Sequence, residues 1–155
     1  VIRFSNDKSH YKTNLGAYIV SGGKKSILAG YYIHLEPGAC FLSGGIYMPS
    51  GRVLKALRKE IYENMEEFKA IVEKPSFVKH FGRELWGEKL KTAPKGFPKD
   101  YEDLEYLKYK HYTLVKNEPD QLYHSNALIQ ELRKVFREIY PFNEFLNRAI
   151  EENQE

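Results

Sequence analysis

The sequence predicts an α+β domain, an antiparallel β-meander with helices packed on one face. Two observations predict it. β-prone runs separated by glycine and proline turns fill the first third of the chain. After Pro49-Ser50 the apolar spacing changes from the two-residue period of strands to the 3.6-residue period of helices.

Ala17-Tyr18-Ile19-Val20 reads as a short strand, and Ser21-Gly22-Gly23-Lys24 as the turn that ends it. The run Ile27 to Leu35 is the second strand. In Glu36-Pro37-Gly38-Ala39 the proline presets φ and the glycine supplies a positive φ, which makes a type II turn. Cys40-Phe41-Leu42 and Ile46-Tyr47-Met48 return alongside, with Ser43-Gly44-Gly45 expected as a bulge or tight bend between them. Leu54, Leu57, Ile61, Met65, Phe68 and Val72 then share one face of a single long helix capped by Ser50. Pro75 opens a short helix that Gly82 ends. Leu90-Lys91-Thr92 is a candidate short strand, 93–99 a loop, and Asp100 the cap of a short helix over 102–108. Lys110–Lys116 is the last strand. From Ser125 a helix carries Leu128, Leu132, Val135, Phe136 and Ile139, and Pro141 is expected to end it and begin another with Phe142, Phe145 and Leu146 inward.

The 155 residues suit one domain, and no boundary or repeat divides them. With 42% hydrophobic residues and a net charge of +3, the chain is not intrinsically disordered, and bulk charge gives no argument for nucleic acid. The longest apolar stretch, Ile27 to Leu35, is interrupted by Gly30 and His34 and is too short to span a membrane. Cys40 has no partner for a disulfide, so a reducing compartment, the cytoplasm, is the expected location.

Gly22-Gly23-Lys24-Lys25-Ser26 lacks the first glycine of a phosphate loop and has Lys25 where Ser or Thr must follow the lysine. No dinucleotide fingerprint, zincin motif, paired-cysteine spacing or nucleophile elbow is present, so no cofactor or metal is expected. The densest chemistry lies in Arg3-Phe4-Ser5-Asn6-Asp7-Lys8-Ser9-His10-Tyr11-Lys12-Thr13. Arg3 offers a two-pronged donor to an oxyanion, Lys8 and Lys12 act as point charges, and Asp7 can orient one of them. The plainer alternative is a structural knot of paired charges and hydroxyl caps. His34 alternates with Ile33 and Leu35, so it stands with Tyr32 on the face opposite theirs, the best-placed acid/base candidate in the chain. Gly44 and Gly45 permit close backbone approach.

The opening stretch resembles the RFSKDKTPYKT signature of DUF2461, a family of conserved hypothetical proteins. Tyr31–Gly38, Gly44–Pro49, Leu90–Phe97 and Pro141–Arg148 are similar to further motifs of that family. The resemblance implies that the chain is the C-terminal portion of a longer protein with a helical region before Arg3. His10 replaces the usual proline. Because Arg3, Asp7, Lys8, Tyr11 and Lys12 fall on motif positions, the resemblance implies a specific role for them, structural or functional; it supplies no catalytic residue or cofactor.

The leading expectation is a binding or catalytic domain for a small anionic ligand. Arg3, Asp7, Lys8, Lys12, Gly44 and Gly45 would form its binding site, and Tyr11 and His34 would bond or transfer protons. The alternative is a non-catalytic protein-interaction module using Tyr101, Tyr106, Tyr109 and Tyr112; nucleic-acid binding is the weakest of the three.

Overall fold

The computed structural model describes residues 12–153. Four strands form one antiparallel sheet in the order β1 (Leu15–Ile19), β2 (Gly30–Leu35), β3 (Phe41–Ile46), β4 (Tyr112–Asn117). The helices are α1 (Gly51–Glu63), α2 (Met65–Val72), α3 (Pro75–Phe81), α4 (Leu104–Leu107) and α5 (Leu128–Glu151), with a 3₁₀ turn at Asp120–His124. The expected α+β class is observed. Among the described residues no helix is long and apolar enough to cross a membrane.

The turns follow from their residues. Gly22 and Gly23 both take positive φ between β1 and β2. Ala39 N–H closes the Pro37-Gly38 turn on Glu36 O at 2.9 Å. The expected bulge at Ser43-Gly44-Gly45 is not there: β3 runs through it in unbroken register, pairing Ser43 with Tyr32 and with Val115. Leu90-Lys91-Thr92 is no strand either; single bridges at Trp86–Thr113 and Lys89–Tyr109 hold that stretch.

Two helix expectations are corrected. The helix expected to run unbroken to Val72 divides at Asn64 (φ −125°, ψ 42°), whose amide donates to Glu60 O and Oε1. An asparagine that bonds the preceding turn competes with the helical ladder. The apolar stripe survives the break, with Leu57, Ile61, Met65, Phe68 and Val72 all buried. Conversely, α5 continues through Pro141, where two helices were expected. Proline in a helix interior costs about 3 kcal/mol. Here Pro141 lies on the exposed side, while Val135, Ile139, Phe142, Phe145, Leu146 and Ala149 bury the opposite face.

The core lies between the sheet and the helices. Phe68 sits at its centre, edge-on to Tyr106 and Tyr112 and tilted against Phe142 and Phe145. Helix α5 comes unusually close to the sheet because β3 offers a glycine. A Cβ on Gly44 would lie 2.3 Å from Ile139 Cγ2. Asn143 Nδ2 donates to Gly30 O (3.0 Å) and Asn147 Oδ1 accepts from Ala29 N–H (2.7 Å), so two side chains one turn apart fix the start of β2. One residue further on, Arg148 bonds Glu60 through Nε (2.7 Å) and Glu67 through both terminal nitrogens, joining α5 to α1 and α2.

Gly44→Ala is expected to cost about 1–3 kcal/mol through the clash with Ile139, read as a lower urea midpoint. An unchanged midpoint would mean that α5 does not rest on this glycine. A second expectation concerns alkaline pH. Burial holds the phenols of Tyr112 and Tyr106 well above their ordinary value and pushes that of Tyr123 up to about 12. The unfolded chain ionises these groups near pH 10 while the folded one keeps their protons, so the stability present below about pH 10 is lost as pH rises towards the folded values. Urea midpoints measured through this range check it, and a flat profile contradicts it.

Candidate functional site

Side-chain alternation gives the sheet two different faces. Tyr31, Ile33, Leu42, Gly44 and Leu114 turn towards the helices, and Tyr31 packs on Phe136 of α5. Tyr18, Tyr32, His34, Phe41, Ser43, Thr113 and Val115 stand on the other face. Most of these line a groove of about 850 Å³ whose far wall is built from Ile27, Tyr47, Met48 and Trp86.

Two glycines shape this face. The ring of Tyr32 on β2 crosses over Gly16 of β1, where a Cβ would meet Tyr32 Oη at 2.3 Å. Tyr18 of β1 lies in turn over Gly30 of β2, where a Cβ would meet its ring at 2.7 Å. Each tyrosine thus lies flat on the neighbouring strand because that strand has no side chain there.

Laid down in this way, the Tyr32 hydroxyl reaches His34 Nδ1 at 2.9 Å, and His34 Nε2 reaches Glu36 Oε2 at 2.8 Å. The imidazole is stacked on Phe41 (centroids 4.5 Å apart, 16° between planes), and only 13% of its side-chain surface is exposed. The order phenol, imidazole, carboxylate is fixed by position: alternate residues along one strand share a face, and Phe41 directly opposite restrains the ring. With Nε2–H donating to the carboxylate, Nδ1 accepts from the Tyr32 hydroxyl; when the ring takes a second proton, Nδ1–H donates to the phenol oxygen instead. The array can therefore carry a proton between Tyr32, which lines the groove, and the half-buried imidazole. Partial burial raises the Tyr18 phenol above its ordinary value.

Of the candidates named from the sequence, His34 stands where alternation puts it. Its partners Tyr32 and Glu36 were legible only as neighbours two residues away. Lys12 is exposed just ahead of β1. Gly44 and Gly45 are buried, line the groove and meet Ile139 and Tyr112 O respectively, so close packing already accounts for both. Arg3, Asp7, Lys8 and Tyr11 lie outside the described residues. Of the rings proposed for a protein interface, Tyr109 and Tyr112 are buried in the core, while Tyr101 and Tyr106 are half-buried against it. Along the groove the exposed aromatics are instead Tyr18, Tyr47 and Trp86, with Tyr62 and Tyr140 exposed elsewhere. Sequence reasoning missed these, together with Gly16 and Gly30; a tyrosine diagonal to a glycine across a hairpin was the available signal. Among the described residues no three His, Cys, Asp or Glu side chains gather to hold a metal.

Gly16→Ala is expected to lift Tyr32 off β1 and break its bond to His34. The ring-nitrogen NMR shifts of His34 should then change as they do in Tyr32→Phe; shifts matching the unsubstituted protein would show that Gly16 does not seat the array.

No curated protein and no solved structure matches the chain. The family model described as "Conserved hypothetical protein (DUF2461)" matches residues 2–145, nearly its whole length. The chain belongs to the DUF2461 family.

Proposed function

We propose that this domain binds a small anionic ligand in the groove on the open face of the sheet, with Tyr32, His34 and Glu36 serving it as a hydrogen-bonding and proton-handling array. The observation that carries the proposal is the Tyr32–His34–Glu36 chain of contacts, whose outer member faces an 850 Å³ groove. A sheltered imidazole between a phenol and a carboxylate beside a cleft is the arrangement general acid–base chemistry needs.

The anionic character rests on the opening stretch. Leu15 pairs with Leu35, so from Lys12 the chain enters β1 at the end of the sheet where His34 and Glu36 stand. Arg3 and Lys8 belong to the same cationic stretch of sequence. A second reading, a protein-interaction module, draws on the exposed Tyr18, Ile27, Tyr47, Met48 and Trp86 around the groove. We place the domain in the cytoplasm on the strength of its single unpaired cysteine, Cys40, buried with its thiol donating to Glu36 O.

Thermal unfolding in phosphate, sulfate and acetate tests the proposal. A ligand that binds the folded state stabilises it in proportion to the logarithm of its concentration over Kd. Phosphate is expected to raise the midpoint at constant ionic strength, and Lys12→Ala or Arg3→Ala to remove most of the increase. The proposal fails if none of the three anions shifts the midpoint, or if the shift survives both substitutions.

A further inference from the structure

At the end of the groove remote from His34, the chain leaves β3 through Tyr47 and Met48. Met48 has φ +47°, the one non-glycine residue with positive φ among the described residues. Such a conformation is strained and persists only where its surroundings impose it. Here Met48 N–H donates to His111 Nδ1 (3.0 Å), and Tyr47 stacks on the same imidazole, with centroids 5.2 Å apart and planes 22° apart. Trp86 is tilted 49° against Tyr47 at 5.9 Å, and its backbone N–H bonds Thr113 O at 3.0 Å. Structure is thus committed to holding two large rings in the open: Tyr47 is 62% exposed and Trp86 48%.

The chemistry of the lining narrows what these rings meet. Among the described residues that line the groove there is no Asp, Glu, Lys, Arg or His. Its polar groups are neutral: the hydroxyls of Ser43 and Thr113, the amide of Asn117, and the phenols. Next to Trp86 lie the hydroxyls of Thr113, which donates to Ile46 O and can still accept, and of Ser43. A flat aromatic ligand gains most from two parallel rings that sandwich it. Tyr47 and Trp86 are far from parallel, and one face of Tyr47 is already covered by His111. What an open ledge of tilted rings beside neutral hydroxyl groups suits is a ring with an apolar face and a hydroxylated edge.

We propose that this end of the groove binds a saccharide unit, an uncharged polyhydroxylated ring stacked on the exposed faces of Tyr47 and Trp86, with its hydroxyls bonded to Thr113 and Ser43. The inference rests on the ligand reading of the groove above and deepens it. From Ile46 to Phe41 the floor spans about 17 Å at 3.3 Å per residue, room for a sugar at Trp86 and an anionic group towards Lys12.

Trp86 is the only tryptophan in the sequence, so its emission reports on this ledge alone. The whole protein is titrated with glucose, galactose, N-acetylglucosamine and their disaccharides, with adenosine as the flat-ring comparison. At least one neutral sugar is expected to give a saturable change in emission. In Tyr47→Ala that binding should weaken about tenfold, the loss of one stacking contact, while Tyr47→Phe, which keeps the ring, should stay within about twofold of the unsubstituted protein. The inference is overturned if every sugar is silent, if Tyr47→Ala leaves the response unchanged, or if adenosine alone binds with the Tyr47 dependence. Failure here is separable from failure of the anion proposal. Phosphate stabilisation with silent sugars sinks the saccharide site and leaves the anion site standing, and sugar binding without any phosphate effect does the reverse.

Discussion

The closeness of α5 to β3 is the constraint on which the rest of this domain depends. Ile139 lies where a Gly44 side chain would be, and that absence lets the helix sink far enough for Asn143 and Asn147 to reach the backbone of Gly30 and Ala29. The buried amide contact is high-stakes: without Asn143, the carbonyl of Gly30 would lose a buried partner. From the same helix Arg148 gathers Glu60 and Glu67. One element thereby sets the sheet and the first two helices in a common frame, and the start of β2 is placed with respect to the core before its outer face forms any site.

That frame explains the division of labour among the family motifs. Asn143, Asn147 and Arg148 act in packing, and the Tyr31–Gly38 stretch contributes to both sides of the sheet, Tyr31 and Ile33 inward, Tyr32 and His34 outward. A single run of sequence can be structural and functional at once because adjacent strand residues face opposite environments.

How much of this was legible beforehand depended on the range of the interaction. Local rules sufficed for the Pro37-Gly38 turn, the Ser50 cap, the apolar stripe of α1 and α2, and the side on which His34 stands. They failed wherever a distant partner decided. Ser43-Gly44-Gly45 looked like a bend because its glycines favour one, yet pairing on both sides and the approach of Ile139 keep it straight. Pro141 looked like an end because the local cost is real, yet one continuous buried face outweighs it. Asn64 looked like one more helical residue because its bonds to Glu60 are invisible in a spacing pattern. The groove was least legible of all: its walls come from β3, β4 and the Trp86 stretch, and its exposed rings carry no periodic signature.

Strand β1 has another side to its construction. All five of its residues are exposed, it forms one border of the sheet, and the Tyr–Gly pairs that fasten it are the same ones that hold Tyr32 against His34. Peripheral strands with little buried surface detach more readily than central ones. Each time this margin peels away, Tyr32 loses the bed that aligns its hydroxyl. Whatever the imidazole does in the intact domain is thereby tied to the closure of this marginal seam of the sheet.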